Sequence, residues 1–89
     1  MRYIAAWSDW QGAGGSWAPA AWEQARGTLA GQLARNLDRW PGSGKRDQAA
    51  YALVLTELLR DDVPEPRPGT GWARRLAFHE LTITPEEVS

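Results

Sequence analysis

His79 is the only histidine in this chain of 89 residues, and the chain contains no cysteine. A serine nucleophile needs a histidine base beside it and a carboxylate that orients the base. His79 lies among alternating apolar residues, a setting more typical of a structural strand residue than of a general base. We therefore predict no catalytic residues and no enzymatic activity, and a small enzyme built around His79 is the least favoured functional hypothesis.

Metal binding has as little support as catalysis. A zinc site needs three or four ligands, and one histidine without cysteine leaves mainly carboxylates. The acidic residues Asp61, Asp62 and Glu65 lack the Asp-x-Asp-x-Asp-Gly spacing of a calcium loop. The sequence thus predicts no metal and no cofactor.

Residues 42–46, Gly-Ser-Gly-Lys-Arg, precede a predicted helix and are the best candidate for an anion site. Backbone N–H groups at a helix start could hold a phosphate with Lys45 and Arg46. A nucleotide-binding P-loop, however, needs a glycine where Arg39 stands, and a Ser or Thr in place of Arg46. An ordinary turn between two helices is the favoured interpretation.

Tryptophan is the most unusual feature of the composition, with six residues in the chain. Each indole can bury on the order of 150–250 Å² and carries one N–H group that needs a partner. Trp22 and Trp40 share the apolar stripe of the first predicted helix, and Trp7 lies in the first predicted strand. We expect these three side chains to be core residues.

The other tryptophans lie outside regular elements. Trp10 and Trp17 flank a glycine-rich loop, and Trp72 follows a Pro/Gly-rich connector. Aromatic residues on loops are typical of protein interfaces, although the three indoles could equally seal a small core. We predict that they contact a protein partner.

Acidic residues extend this predicted surface. Glu57, Asp61 and Asp62 lie near the carboxyl end of the second predicted helix, where the helix dipole favours cations, and Glu65 follows in the connector. Either they dock a basic partner, or the acidic helix end pairs with arginines of the return segment. Those arginines are Arg67, Arg74 and Arg75.

The leading hypothesis is a non-catalytic protein-interaction module, such as an accessory subunit or a small inhibitor or regulator. It would bind a protein partner or a second copy of itself as a homodimer. The alternative is a nucleic-acid-associated regulator whose basic side chains contact phosphates. Its candidate residues are Arg26, Arg35, Arg39, Lys45 and Arg46. The net charge of −1 favours the protein partner.

The elements that position these residues follow from periodicity and turn signals. We predict a strand over residues 2–7, a glycine-rich loop over 9–16, helices over 19–40 and 47–62, a connector over 63–71 and a strand over 74–84. The result is a single α+β domain of β-α-α-β order, with an antiparallel helix hairpin on a two-stranded sheet. Because two strands make a weak sheet, dimerisation could complete it.

Nothing in the sequence indicates a membrane. No segment approaches the roughly 18 consecutive apolar residues of a spanning helix, and the first apolar run is too short for a signal peptide. We expect a cytoplasmic protein without a membrane partner.

Overall fold

The computed structural model describes residues 1–40, 44–60 and 62–86. The elements are β1 (Tyr3–Asp9), β2 (Gly14–Ser16), α1 (Trp22–Asn36), α2 (Lys45–Leu59), β3 (Trp72–Arg75) and β4 (His79–Pro85). The strands form one antiparallel sheet in the order β2-β1-β4-β3. The α+β fold is therefore confirmed, but the sheet has four strands rather than the two expected from the sequence.

The first additional strand arises because the glycine-rich loop is a hairpin. The Asp9 carboxylate oxygen Oδ1 accepts the backbone N–H groups of Gln11 and Ala13, both at 2.9 Å, and so fixes the turn. The chain then returns along β1 as β2. A Cβ atom on Gly14 would lie 2.5 Å from the carbonyl oxygen of Trp7, so glycine permits this close approach.

The predicted strand over residues 74–84 is wrong, because the chain reverses within it. The Leu76 N–H donates to the His79 carbonyl oxygen at 2.8 Å and closes a turn between β3 and β4. The two strands pair from Trp72 opposite Ile83 to Arg75 opposite Glu80. The single predicted strand is thus a hairpin of two shorter strands.

Both helices are shorter than predicted. The chain still pairs with β1 at Ala20, where Tyr3 and Ala20 exchange backbone hydrogen bonds of 2.7 and 2.9 Å. The first helix therefore starts at Trp22, three residues later than expected, and ends at Asn36. Turns continue to Trp40, whose N–H donates to the Asn36 carbonyl oxygen at 2.8 Å. The second helix ends at Leu59, before the acidic residues.

The core lies between the inner face of the sheet and the helices. α1 contacts β1 and β4, and α2 packs against α1. Trp22 is buried there as predicted, while Trp7 and Trp40 are half-buried against the core. The buried apolar set is Tyr3, Ala5, Trp22, Ala25, Leu29, Ala30, Leu33, Tyr51, Val54, Leu58, Trp72, Leu81 and Ile83. Neither helix of the described residues has the length and apolar character to cross a bilayer.

Candidate functional site at the aromatic end of the sheet

The three loop tryptophans do not form one continuous surface. Trp72 pairs with Ile83, whereas Trp10 follows Asp9, which pairs with His79. His79 and Ile83 are four residues apart on β4, which corresponds to about 13 Å along the strand. The predicted group is thus divided between the two ends of the sheet.

Trp72 lies in the core, contrary to its predicted place on the partner-binding surface. Its side chain is only 9 % exposed, and its indole N–H donates to Glu57 Oε1 at 3.2 Å. The Arg74 guanidinium pairs with Glu57 and lies 4.9 Å from the Trp72 ring centroid. Trp17 is half-buried against the core, at the opposite edge of the sheet. The pairing of an acidic helix residue with the return segment is confirmed for Glu57 and Arg74.

The acidic residues of the predicted surface are separated from one another. Asp62 forms an exposed ion pair with Arg60 at 2.8 Å, and this arginine lowers the pKa of the Asp62 carboxyl. Glu65 Oε2 accepts the Tyr3 hydroxyl at 3.1 Å. Asp61 lies outside the described residues. Asp62 and Glu65 therefore each have an interaction partner within the chain itself.

One of the five predicted basic residues is buried, and the other four are exposed. Arg26 is buried, and its guanidinium donates to the backbone carbonyl of Arg60, which joins α1 to the end of α2. Arg35 and Lys45 line a groove between the helices together with the oppositely charged Asp38.

The predicted anion loop is only partly described. Gly42 and Ser43 lie outside the described residues. Gly44 is the N-cap of α2 and makes no side-chain capping bond, while Lys45 and Arg46 are exposed in the first turn. The described residues add nothing that would indicate a bound phosphate.

Side chains of several elements converge where β1 ends and β4 begins. They line a cleft of about 340 Å³, and we call this group the aromatic end: Asp9, Trp10, Arg39, Trp40, Phe78 and His79. A second cleft of about 330 Å³ shares Asp9, Trp10, Phe78 and His79 and extends along the β3–β4 turn. Arg39, proposed from sequence as a phosphate contact, is instead one wall of the first cleft.

Strand pairing and turns of the chain bring these residues together. Asp9 and His79 are direct partners across β1 and β4 and lie on the same face of the sheet. Trp10 follows at the tip of the β1–β2 hairpin, and Phe78 lies in the β3–β4 turn. Trp40 lies in the turns that follow α1. Of the six tryptophans, which all lie in the described residues, Trp10 alone is exposed, at 73 %.

His79 is held in place by aromatic rings. The Trp40 ring stacks on it with centroids 4.4 Å apart and planes inclined by 19°. Tyr51 meets it edge-on at 5.6 Å, and Trp7 lies at 6.1 Å. Only 8 % of the histidine surface is exposed. The ring therefore has a fixed orientation at the floor of both clefts.

The hydrogen bonds of Tyr51 assign the tautomer of His79. The Phe78 N–H donates to the Tyr51 hydroxyl oxygen at 3.1 Å, and this hydroxyl lies 2.7 Å from His79 Nδ1. If Nδ1 also donated to this oxygen, the buried hydroxyl proton would have no acceptor among the described residues, so the arrangement that satisfies every group has the hydroxyl donating to Nδ1. In the neutral imidazole the ring proton is then on Nε2, which is a hydrogen-bond donor.

The protonation states agree with this assignment. Burial lowers the pKa of His79, against a smaller opposing effect of the Asp9 charge. Burial likewise raises the pKa of the Tyr51 hydroxyl. Near neutral pH the pair is therefore an uncharged phenol and an uncharged imidazole.

Two polar atoms of the aromatic end are unpaired. Within the described residues, neither His79 Nε2 nor Asp9 Oδ2 has a hydrogen-bond partner, since the loop N–H groups bind Asp9 Oδ1. Ser8 cannot complete a catalytic triad with them, because it pairs with Glu80 and points to the opposite face of the sheet. In the described part of the chain no three potential metal-ligating side chains cluster. The arrangement is suited to binding.

Comparison with protein-family models, curated proteins and solved structures finds no match to this chain.

Sequence reasoning missed Asp9 and Phe78 as site residues. For Asp9 a signal was present, because an Asp followed three residues later by Gly12 is typical of a tight turn. That turn would have placed Trp10 at a hairpin tip. Phe78 has no such signal, because its segment contains no Gly, Pro, Asn or Asp.

Proposed function

We propose that this protein is a non-catalytic protein-interaction module and that the aromatic end is its contact surface. The observation that carries the proposal is Trp10, which stands 73 % exposed on a hairpin tip and also lines both clefts. Phe78 is 39 % exposed, lines the same two clefts and extends the apolar surface. An accessory subunit or a small cytoplasmic inhibitor or regulator would use such a surface.

The energy available from Trp10 is sufficient for a binding hot spot. Covering about 200 Å² of indole surface contributes roughly 5 kcal/mol before the entropic costs of association. Arg39 lies beside it, and tryptophan and arginine are the residue types enriched at such positions. These features support a compact apolar anchor surrounded by polar groups.

Charge supports a protein partner over a nucleic acid. Both signs alternate around the clefts, with Arg39 near Asp9 and Arg75 paired with Glu80 at 3.4 Å. A polyanion would meet the Asp9 and Glu80 carboxylates in the cleft that Trp10 also lines, which opposes phosphate binding. A protein surface can match both signs.

Site-specific photocrosslinking tests the proposal. A benzophenone amino acid at position 10 should capture a defined protein in the native host, whereas the same residue at position 53 should not. Leu53 is a matched control because it is 71 % exposed on α2, away from the aromatic end. Capture of a second copy of this chain would show that the partner is the protein itself and that it forms a homodimer.

Affinity measurements with the captured protein complete the test. Trp10→Ala should weaken binding by about 30-fold or more, the effect of removing a hot-spot residue, while Leu53→Ala should leave the affinity unchanged. The melting temperature of Trp10→Ala should stay close to that of the wild type, because the side chain is exposed. Equal affinity of both variants, or strongly salt-dependent binding to single-stranded DNA instead of a protein, would contradict the proposal.

A further inference from the structure

We propose that His79 Nε2–H and Asp9 Oδ2 act as a paired donor and acceptor for a backbone amide of the partner, whose apolar side chain lies between Trp10 and Phe78. This inference rests on the proposed function and specifies the chemistry of the partner segment. It identifies the ligand as an uncharged peptide segment with a large apolar side chain.

The donor half of the site follows from Tyr51. The Tyr51 hydroxyl is hydrogen-bonded to Nδ1 of His79, and the stacked Trp40 ring restricts rotation of the imidazole. The remaining Nε2–H is a directed donor on a side chain more than nine-tenths buried. Among the described residues only the Trp22 indole nitrogen is both fully buried and unpaired, so Nε2–H of His79 reaches solvent and an acceptor oxygen of a ligand can bind it in place of water.

The acceptor half follows from the hairpin. The Gln11 and Ala13 N–H groups bind Asp9 Oδ1 and fix the carboxylate, and Oδ2 has no hydrogen-bond partner among residues 1–40, 44–60 and 62–86. Asp9 faces His79 across the strand pair, yet no hydrogen bond joins them in the described residues. The space between them therefore presents one donor and one acceptor, the complement of an amide C=O and N–H.

The aromatic side chains that line the clefts favour a ligand with a large apolar side chain. Trp10 and Phe78 line both clefts, and Phe78 is 39 % exposed. An apolar side chain between them would be covered on two sides by aromatic rings. A carboxylate ligand fits less well, because it would approach the Asp9 charge and could not donate to Oδ2.

The amide probe N-acetyl-L-phenylalaninamide tests the site in the full chain by nuclear magnetic resonance with ¹⁵N-labelled histidine. We expect saturable binding that shifts the His79 Nε2 resonance and gives contacts to the Trp10 and Phe78 rings. Phenylacetate, which keeps the aromatic ring and carries a carboxylate, should bind more weakly. No saturable binding, an unchanged Nε2 resonance, or tighter binding of phenylacetate would overturn the proposal.

Asp9→Asn is the decisive variant, since replacing the packed His79 could unfold the chain. Asparagine keeps Oδ1 for the two loop N–H groups and places an NH₂ group, a donor, where the acceptor Oδ2 was. We expect the amide probe to bind about tenfold more weakly to this variant, with Leu53→Ala unchanged as the control. Equal affinity of Asp9→Asn and the wild type would overturn the proposal.

The two proposals fail separately. If partner capture requires Trp10 but Asp9→Asn leaves the affinities for the partner and the probe unchanged, the aromatic end is the interface and the amide subsite is wrong. If partner affinity does not depend on Trp10, the proposed interface itself is wrong.

Discussion

Tyr51 and Tyr3 are both fully buried, and each directs its hydroxyl to one end of the sheet. At the aromatic end the Tyr51 hydroxyl joins the Phe78 N–H to His79 Nδ1. At the other end, which we call the connector end, the Tyr3 hydroxyl donates to Glu65 of the proline-rich connector. The same residue type thus serves an internal network at one end and a surface carboxylate at the other.

The connector end is closed in the sense that polar side chains there are paired within the chain. Glu57 accepts the Trp72 indole N–H and pairs with Arg74, and Glu65 accepts the Tyr3 hydroxyl. The aromatic end instead leaves His79 Nε2 and Asp9 Oδ2 without partners in the described residues, beside the exposed Trp10. This contrast is why we propose the aromatic end as the contact surface.

The two tyrosines provide the largest expected difference between the ends. Tyr51→Phe leaves a buried N–H and a buried imidazole nitrogen without their partner, and should lower the free energy of unfolding by about 2–3 kcal/mol. Tyr3→Phe removes one bond to an exposed carboxylate and should cost clearly less. Urea unfolding of both variants measures the difference. Equal losses of unfolding free energy would show that the hydrogen bonds of Tyr51 stabilise the protein no more than the single bond of Tyr3 does.

A smaller difference is expected between two buried tryptophans. Trp72→Phe removes the hydrogen bond to Glu57, whereas Trp22→Phe removes a buried indole N–H that has no partner among the described residues. Both changes delete the same ring volume, so Trp72→Phe should destabilise the protein by about 1–2 kcal/mol more than Trp22→Phe. Thermal or urea unfolding checks this order, and the reverse order would contradict the closed connector end.

The smallest expected effect is a pH dependence that originates at the aromatic end. Burial holds the pKa of His79 below its ordinary value of 6.5, so the unfolded chain binds a proton more readily than the folded one. The neutral, buried His79 therefore contributes to the free energy of unfolding above pH 6.5, and this contribution is lost as the pH falls below 6.5. Because His79 is the only histidine, unfolding measured between pH 7 and pH 5 should show a loss that tracks its own titration.

The Asp9→Asn variant tests the electrostatic effect of Asp9 on His79 in the same pH experiment. The Asp9 charge raises the pKa of His79, so its removal should move the titration midpoint still lower. A midpoint at or above 6.5 in the wild-type chain would mean that the histidine is not held neutral by burial.

Periodicity in the sequence was sufficient to predict the α+β class, both helices and the first strand. It could not predict β2, whose residues Gly14–Ser16 have little intrinsic strand preference and pair only because the Asp9 turn returns them to β1. The hairpin between β3 and β4 was missed because its turn contains none of the usual turn residues.

The site was harder to predict than the fold because its contacts are distant in sequence. Trp72 appeared to be a surface residue from its Pro/Gly-rich surroundings, and the partner that buries its N–H is Glu57, on another element. His79 appeared structural, which its packing supports, but its hydrogen bond to Tyr51 spans 28 positions. Trp10 was selected correctly as an exposed residue because a turn surrounds it.

Hydrogen exchange of the individual indole N–H groups in the isolated chain is the most direct test of an open aromatic end and a closed connector end. The Trp10 proton should exchange at the rate of a free indole and become protected when the captured partner is added, whereas the Trp72 proton should exchange slowly throughout. A protected Trp10 in the isolated chain, or a Trp72 that exchanges as fast as Trp10, would contradict the account.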